Sequence, residues 1–369
     1  MTTFPLPAIS VEQAKQLQFH IVDTIMNHFD GDEILSTGDL GVHKGLNRPV
    51  TTSRAEKVIA ELFGVPDATL LRGAGTGALR WGVHAIFQQG GALLIHTSPV
   101  YPTTQVSLDM MKIPVVRADF NDPHQLETVI AQHPEVTGAL VQLTRQKPDD
   151  SYDYADVIAR IKKANPAIRV LTDDNYAVMK VEKIGVQCGA DLSSFSCFKL
   201  LGPEGVGALV GDAELVQFVR ECNYSGGSQV QGHEAMETLR GFVYAPVSLA
   251  IQAEVNEELV RRLSGGEVDG VKQAFLANAQ SKVLLVEFER DIAEEVLAYT
   301  TRHGAAANPV GCESKYEVVP MMYRVSGTFR KQDPTLEKRM IRINPMRGGP
   351  DTVIRILKQA LEEINNSER

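Results

Sequence analysis

The sequence predicts an α/β protein: a large domain built around a mostly parallel sheet, joined to a smaller α+β domain. Three observations lead there. Short, continuously apolar segments such as Ala92-Leu93-Leu94-Ile95 alternate with amphipathic stretches of helix length. This is the pattern of strands covered on both faces by crossover helices. In the second half of the chain the alternation gives way to strand-like segments at wider spacing. A length of 369 residues, at roughly 150 residues per domain, leaves room for one large and one small unit.

The elements follow in order. Residues 11–27 carry helical periodicity, with Leu17, Ile21 and Ile25 on one face. Residues 31–52 read as a loop long enough to point to a function or an interface. Residues 53–63 read as a helix capped by Ser53, and 78–88 as a second helix after a glycine loop. Apolar strands are expected at 91–96, 113–120, 138–143, 168–173, 191–196 and 206–211, with helices from 123 and over 153–164. A long helix at 246–263, opening on Pro246, leads to strands at 281–289, 318–327 and 340–343 and a terminal helix at 351–366. The expected division is 1–50 as an N-terminal helix and interface loop, 51–245 as the large domain, and 246–369 as the small domain.

Composition narrows the function classes. Hydrophobic residues make up 43% and charged residues 22%, near the average of soluble globular chains, which excludes collagen-like and disulfide-scaffold readings. The net charge of −9 weighs against a nucleic-acid partner, whose affinity rests on Lys and Arg neutralising phosphates. Cys188, Cys197, Cys222 and Cys312 form no CxxC pair, so no metal site is expected. Apolar runs reach about five residues, against roughly 20 for a membrane span. The N-terminus lacks a basic start followed by an apolar core. A cytoplasmic protein with no membrane partner is the expectation.

Three clusters could carry chemistry. In LRGAGTGALRWG (71–82), Gly73, Gly75 and Gly77 precede a helix. Unpaired N–H groups and the positive dipole end at a helix start bind anions, although a tight turn would use the same residues. The pattern departs from G-x-G-x-x-G, and no acidic residue follows at about 20 positions, which argues against a nicotinamide site. In VLTDDNYAV (170–178), an apolar strand runs into Asp173 and Asp174. Carboxyl ends of strands line the ligand crevice of open α/β sheets, and a loop cap is the plainer alternative. In SSFSCFKLLGPEGVGALVG (193–211), Lys199 lies among Phe195, Phe198, Leu200 and Leu201. Lysine in apolar company is uncommon. Desolvation favours its neutral, nucleophilic form, whereas a snorkelling lysine would need no function.

In this order on a parallel sheet, the glycine loop, the strand-end aspartate and the lysine resemble the fold-type I pyridoxal-phosphate enzymes. The stretch IGVQCGADLSSFSCFKLLGPEGVGALV carries the likeness most clearly. It is similar to class V aminotransferases, cystathionine and methionine lyases and selenocysteine-synthase-like proteins. The resemblance spans residues 45–245 well and the rest loosely. It implies a three-layer α/β/α domain with a seven-stranded sheet, pyridoxal 5'-phosphate as cofactor, an amino-acid-like substrate, and a homodimer or homotetramer with shared sites.

The same resemblance implies roles for particular residues. Lys199 forms the Schiff base with the cofactor. Asp173 faces the pyridine nitrogen, with Asp174 as the competing candidate. Tyr176 bonds the ring oxygen, a role Asn175 could share. Gly75, Thr76, Gly77 and Ser196 hold the phosphate, and Tyr101 stacks on the ring. Arg342 in MIRINP binds the substrate carboxylate, and Arg145 faces the same cleft. His43, Lys44, Arg48 and residues 225–229 reach toward a neighbouring subunit. Two departures leave the reaction type open. The N-terminal loop lacks the lyases' tyrosine-x-arginine, and Phe198 stands where many class V members place histidine. Transamination is placed ahead of β- or γ-elimination. A non-catalytic relative, or one that meets tRNA, is disfavoured by the retained lysine and aspartate and by the acidic charge.

Overall fold

Seven strands form the central sheet in a computed structural model that describes residues 2–144, 147–279, 282–309 and 313–367. They are β1 (Asp67–Arg72), β2 (Ala92–His96), β3 (Val115–Ala118), β4 (Val136–Gln142), β5 (Arg169–Asp173), β6 (Leu192–Ser196) and β7 (Val206–Gly211). Their order across the sheet is β1-β7-β6-β5-β4-β2-β3. β2 to β6 run parallel, and β7 is antiparallel to both its neighbours. The reversal has a simple cause. A parallel return takes a crossover of a dozen or more residues, and only residues 197–205 separate β6 from β7.

Six of these strands lie where the apolar segments predict. β1 is not among them, because its short apolar core runs directly into the glycine cluster. On one face of the sheet, Leu93, Ile95, Leu171 and Leu209 pack with Leu79 and Val83 of the helix Ala74–Ile86 and Val216 of the helix Ala213–Cys222. On the other, Leu94, Val141 and Val170 pack with Leu126 of the helix Pro123–Gln132 and Ile158 of the helix Tyr154–Ala164. The large domain is thus a three-layer α/β/α sandwich.

The smaller domain holds β8 (Val271–Ala277), β9 (Val283–Phe288), β10 (Met321–Arg324) and β11 (Met340–Asn344), an antiparallel sheet in the order β10-β11-β9-β8. Neither β8 nor the helix Ala293–Arg302 is among the elements expected from the sequence. Ile341 and Ile343 face a core shared with the terminal helix Pro350–Ser367, through Val353 and Leu357. Alternation therefore turns Arg342 to the opposite face, where it lies beside Tyr323 of β10. The long helix runs from Gly232 to Ser264 and carries Pro246 inside it, so the proline does not open it. An interior proline removes one helix bond. Burial of Leu239, Phe242, Ala245 and Leu249 on the same helix outweighs that loss. Among the described residues no helix is long and apolar enough to cross a membrane.

Two further helix starts differ from expectation. The helix Val50–Phe63 begins before Ser53, and no side chain of its own caps it. Its first N–H groups donate instead to Asp39, from Val50 to Oδ2 at 2.8 Å and from Thr51 to Oδ1 at 2.9 Å. The cap is therefore supplied by the long 31–52 loop, out of reach of any local pattern. Asp39→Ala is expected to lower stability by about 1 kcal/mol. The measurement is a shifted urea midpoint at unchanged m-value, with Asp39→Asn retaining most of the native midpoint.

Candidate active site

The second altered start shapes the site. The helix Ala74–Ile86 begins inside the glycine cluster, after Gly73 (φ 97°) and Ala74 (φ 53°) adopt left-handed backbone. Both donate their N–H groups to the Gly205 carbonyl, at 2.8 and 3.0 Å. Among the described residues the N–H groups of Gly75 and Thr76 have no backbone acceptor, and that of Gly77 returns to Gly73 at 2.8 Å. The helix thus opens with free donors and its positive dipole end. Gly75 and Gly77 are glycine for steric reasons: a Cβ would collide with the Asn175 side chain at the first and with the Arg72 carbonyl at the second. The Thr76 hydroxyl lies 3.0 Å from that of Thr103, in the helix Pro102–Met111 that Tyr101 precedes. Tyr101 therefore stands at a helix start joined to the first.

Lys199 sits in a single turn, Phe198–Leu200, just beyond the end of β6. Its Nζ lies 3.3 Å from Asn175 Oδ1 and 3.8 Å above the centroid of the Tyr176 ring. Asn175 is the centre of the cluster. The same Oδ1 accepts from the Ser196 N–H at 3.1 Å, and Nδ2 donates to Asp173 Oδ1 at 2.8 Å. One neutral amide thereby fixes the strand-end carboxylate, the buried Ser196 and the lysine against each other. The sequence places Asn175 only as sharing the role of Tyr176, because a bridging amide has no signature of its own.

The two aspartates divide. Asp174 is wholly buried and accepts from the Thr172 hydroxyl and from the Gly185 N–H at 2.8 Å. Burial pushes its carboxyl from the usual 3.8 up to about 6. Asp173 stays on the side of Asn175 and Lys199. Tyr176 follows with φ 67°, a region disfavoured for an aromatic residue. The ring packs with Met321 and Tyr323 of β10 and with Met346. Tyr323 in turn lies 4.1 Å beneath the Arg342 guanidinium, whose Nε donates to the Arg324 carbonyl at 2.8 Å. The small sheet therefore links Arg342 to Lys199 through two packed rings, Tyr323 and Tyr176.

Arg145 lies outside the described residues. Arg48 is turned inward, its Nε 2.6 Å from the buried Glu56, and His43 pairs with Asp39 at 3.1 Å. Residues Gly226–Ser228 form a short helical turn. Cys197 is buried, and burial raises its thiol far above the ordinary value, so it is inert packing beside Lys199. The free N–H groups, the Thr76 and Ser196 hydroxyls, the strand-end carboxylate and the lysine amine suit a phosphorylated aromatic aldehyde. They provide anion donors at one end and an amine at the other.

Comparison with known proteins points to the same cofactor. The family model "Aminotransferase class-V" matches residues 54–242, and "YhfS-like, C-terminal domain" matches residues 257–357. YhfS of Escherichia coli (strain K12) is 52% identical over 365 residues, covering 99% of this chain and all of the relative. The crystal structure of YhfS, described as a pyridoxal-5'-phosphate dependent protein, superposes with a TM-score of 0.95 over 98% of this chain and 100% of that one. The cystathionine γ-lyase CalE6 from Micromonospora echinospora has a TM-score of 0.69 at 20% identity, covering 89% of this chain and 92% of its own. A carbon–sulfur lyase involved in aluminium resistance from Clostridium novyi NT has a TM-score of 0.71 at 15% identity, covering 96% and 91%. These last two share the fold.

Asp174 yields a pH prediction. A carboxyl whose folded pKa lies above its unfolded one favours the fold when protonated, so its contribution declines as pH rises from about 4 to 6. The decline is on the order of 2–3 kcal/mol. Asp174→Asn should flatten the dependence of the urea midpoint on pH across that window, whereas Asp173→Asn, which removes only the smallest of the influences that raise it, should leave most of it in place.

Proposed function

Because the chain belongs to the class V aminotransferase family, we propose that it is a pyridoxal-phosphate-dependent enzyme acting on a small amino-acid-like amine, with Lys199 as the cofactor lysine. The observation that carries the reading is the single cluster of Lys199, Asn175, Asp173 and Ser196 beside the open start of the helix Ala74–Ile86. The N–H groups of Gly75 and Thr76, with the Thr76 and Ser196 hydroxyls, would hold the phosphate. Asp173 would keep a proton on the pyridine nitrogen, and Tyr101 would cover the ring. When bound, the cofactor draws electron density from the α-carbon of an attached amine.

The protein's own groups do the rest. The Lys199 amine takes and returns the α-proton of the substrate. The face of Tyr176 favours the ammonium form of Lys199 through a cation–π contact, so the proton is stored between the two transfers. Asn175 holds the amine on the Asp173 side. The Arg342 guanidinium is oriented by its stacking on Tyr323 and by the Arg324 carbonyl. Its terminal nitrogens bind the substrate α-carboxylate.

Transamination is the first reading, following the family match. Elimination is the second, favoured by the carbon–sulfur lyases that share the fold. Both begin with removal of the α-proton by Lys199. The exposed apolar side chains Phe19, Met26, Leu35 and Leu40 along the N-terminal helix and loop support a homodimer joined there.

Incubation with a panel of amino acids separates the reactions. Conversion of the cofactor to its pyridoxamine form marks transamination, and release of keto acid with ammonia marks elimination. Lys199→Ala should abolish borohydride-dependent fixation of the cofactor and lower kcat by about 100- to 10,000-fold. Fixation that persists in this variant overturns the assignment. Arg342→Gln should raise KM roughly 10- to 100-fold for substrates with an α-carboxylate and leave amines without one unaffected.

A further inference from the structure

A buried charge pair that the proposed chemistry does not use lies beside Tyr176. Lys180 and Glu313 are 7% and 1% exposed and form an ion pair. Gln252, on the helix Gly232–Ser264, donates Nε2 to the same Glu313 oxygen at 3.0 Å. The other oxygen, Oε2, is buried with no hydrogen-bond partner among the described residues. Lys180 Nζ stands 5.7 Å from the Tyr176 ring centroid, and Lys199 Nζ stands 3.8 Å from the same centroid. One small cavity is lined by Tyr176, Lys180, Ser196, Lys199 and Glu313 together.

Taking two charges out of water is expensive, and well-packed apolar residues of similar volume are often as stabilising. Stability is therefore a weak account of this pair. Its electrostatic reach is a stronger one, because charges in a dry interior act on their neighbours with little screening. The pair presents its ammonium end to the ring that Lys199 also touches.

We infer that the Lys180–Glu313 pair sets the proton affinity of the Lys199 amine, with the Lys180 ammonium as the charge turned toward the shared Tyr176 ring. A like charge disfavours protonation, so Lys180 keeps a larger share of Lys199 as the neutral amine. It opposes the cation–π contact and the carboxylates around Lys199. The titratable groups around Lys199 are Asp173 at the end of β5, Asp174, Tyr176 and Lys180 in the segment that follows it, and Glu313 from the segment before β10. Arg347 lies behind Glu313 and touches Gln252 at 3.4 Å. Lys180 and Glu313 are positioning residues: they act on the proton of Lys199 and touch no substrate. The inference rests on Lys199 being the cofactor lysine, which borohydride fixation tests separately.

The experiment uses the full chain freed of cofactor. Trace acetylation is followed across pH, and the rate at the Lys199 peptide is read by mass spectrometry, so the midpoint belongs to Lys199 itself. Two variants keep the pocket filled and avoid a lone buried charge: the uncharged Lys180→Met/Glu313→Met, and the reversed pair Lys180→Glu/Glu313→Lys. The Lys199 midpoint should rise in order from wild type to the uncharged variant to the reversed pair, by about one pH unit overall. A purely structural role predicts equal midpoints in folded variants. Equal midpoints, or a fall in the reversed pair, overturn the inference.

Discussion

The brevity of residues 197–205 constrains this molecule more than any other feature. Too short for a crossover, the segment turns β7 back along β6 and leaves Lys199 at the carboxyl edge of the sheet. Its Gly205 carbonyl receives the N–H groups of Gly73 and Ala74. The same turn thus holds the lysine and anchors the start of the anion-binding helix. Gly207, at the foot of β7, presses so closely on the Ala74 carbonyl that a side chain there would collide with it. Lysine and helix start form one rigid unit across a sheet edge.

Against that unit the end of β5 supplies the remaining chemistry through Asn175. A charged residue in its place would add a third charge between Asp173 and Lys199. A neutral amide satisfies a donor and an acceptor at once. The cost of placing two aspartates together is met by sorting them. Asp174 is buried in a hydroxyl-lined recess with a raised pKa, and Asp173 is left on the side of the lysine. The left-handed Tyr176 then turns its ring under Lys199 and toward the small sheet, which is how the second domain reaches the site.

Local patterns located much of this. The central strands other than β1 are short apolar runs, and a fully buried parallel strand leaves that mark directly. Lys199, Asp173 and the glycine cluster stood out because a lysine among aromatics, a carboxylate at a strand end and crowded glycines each break a local rule. Other features left no such mark. The Asp39 cap, the Asn175 bridge and the Lys180–Glu313 pair join residues far apart in the chain. Each uses residue types that are ordinary where they stand. Ser53 was the nearest hydroxyl to the expected helix start, and Asp39 displaced it because the 31–52 loop folds back over that end.

The α/β class, the parallel strands, the placement of lysine and aspartate at strand ends, and the resemblance that follows from their order are all legible in the unfolded chain. These depend on hydrophobic periodicity and on neighbours a few residues apart. Only the folded chain makes Asn175 join Asp173 to the lysine, turns Arg48 inward to Glu56, and stacks Arg342 on Tyr323 near Tyr176. Those outcomes turn on which face each side chain takes once distant segments meet. They are set by burial, left-handed backbone at single residues and the pairing of charges in a dry interior, none of which a local window of sequence encodes.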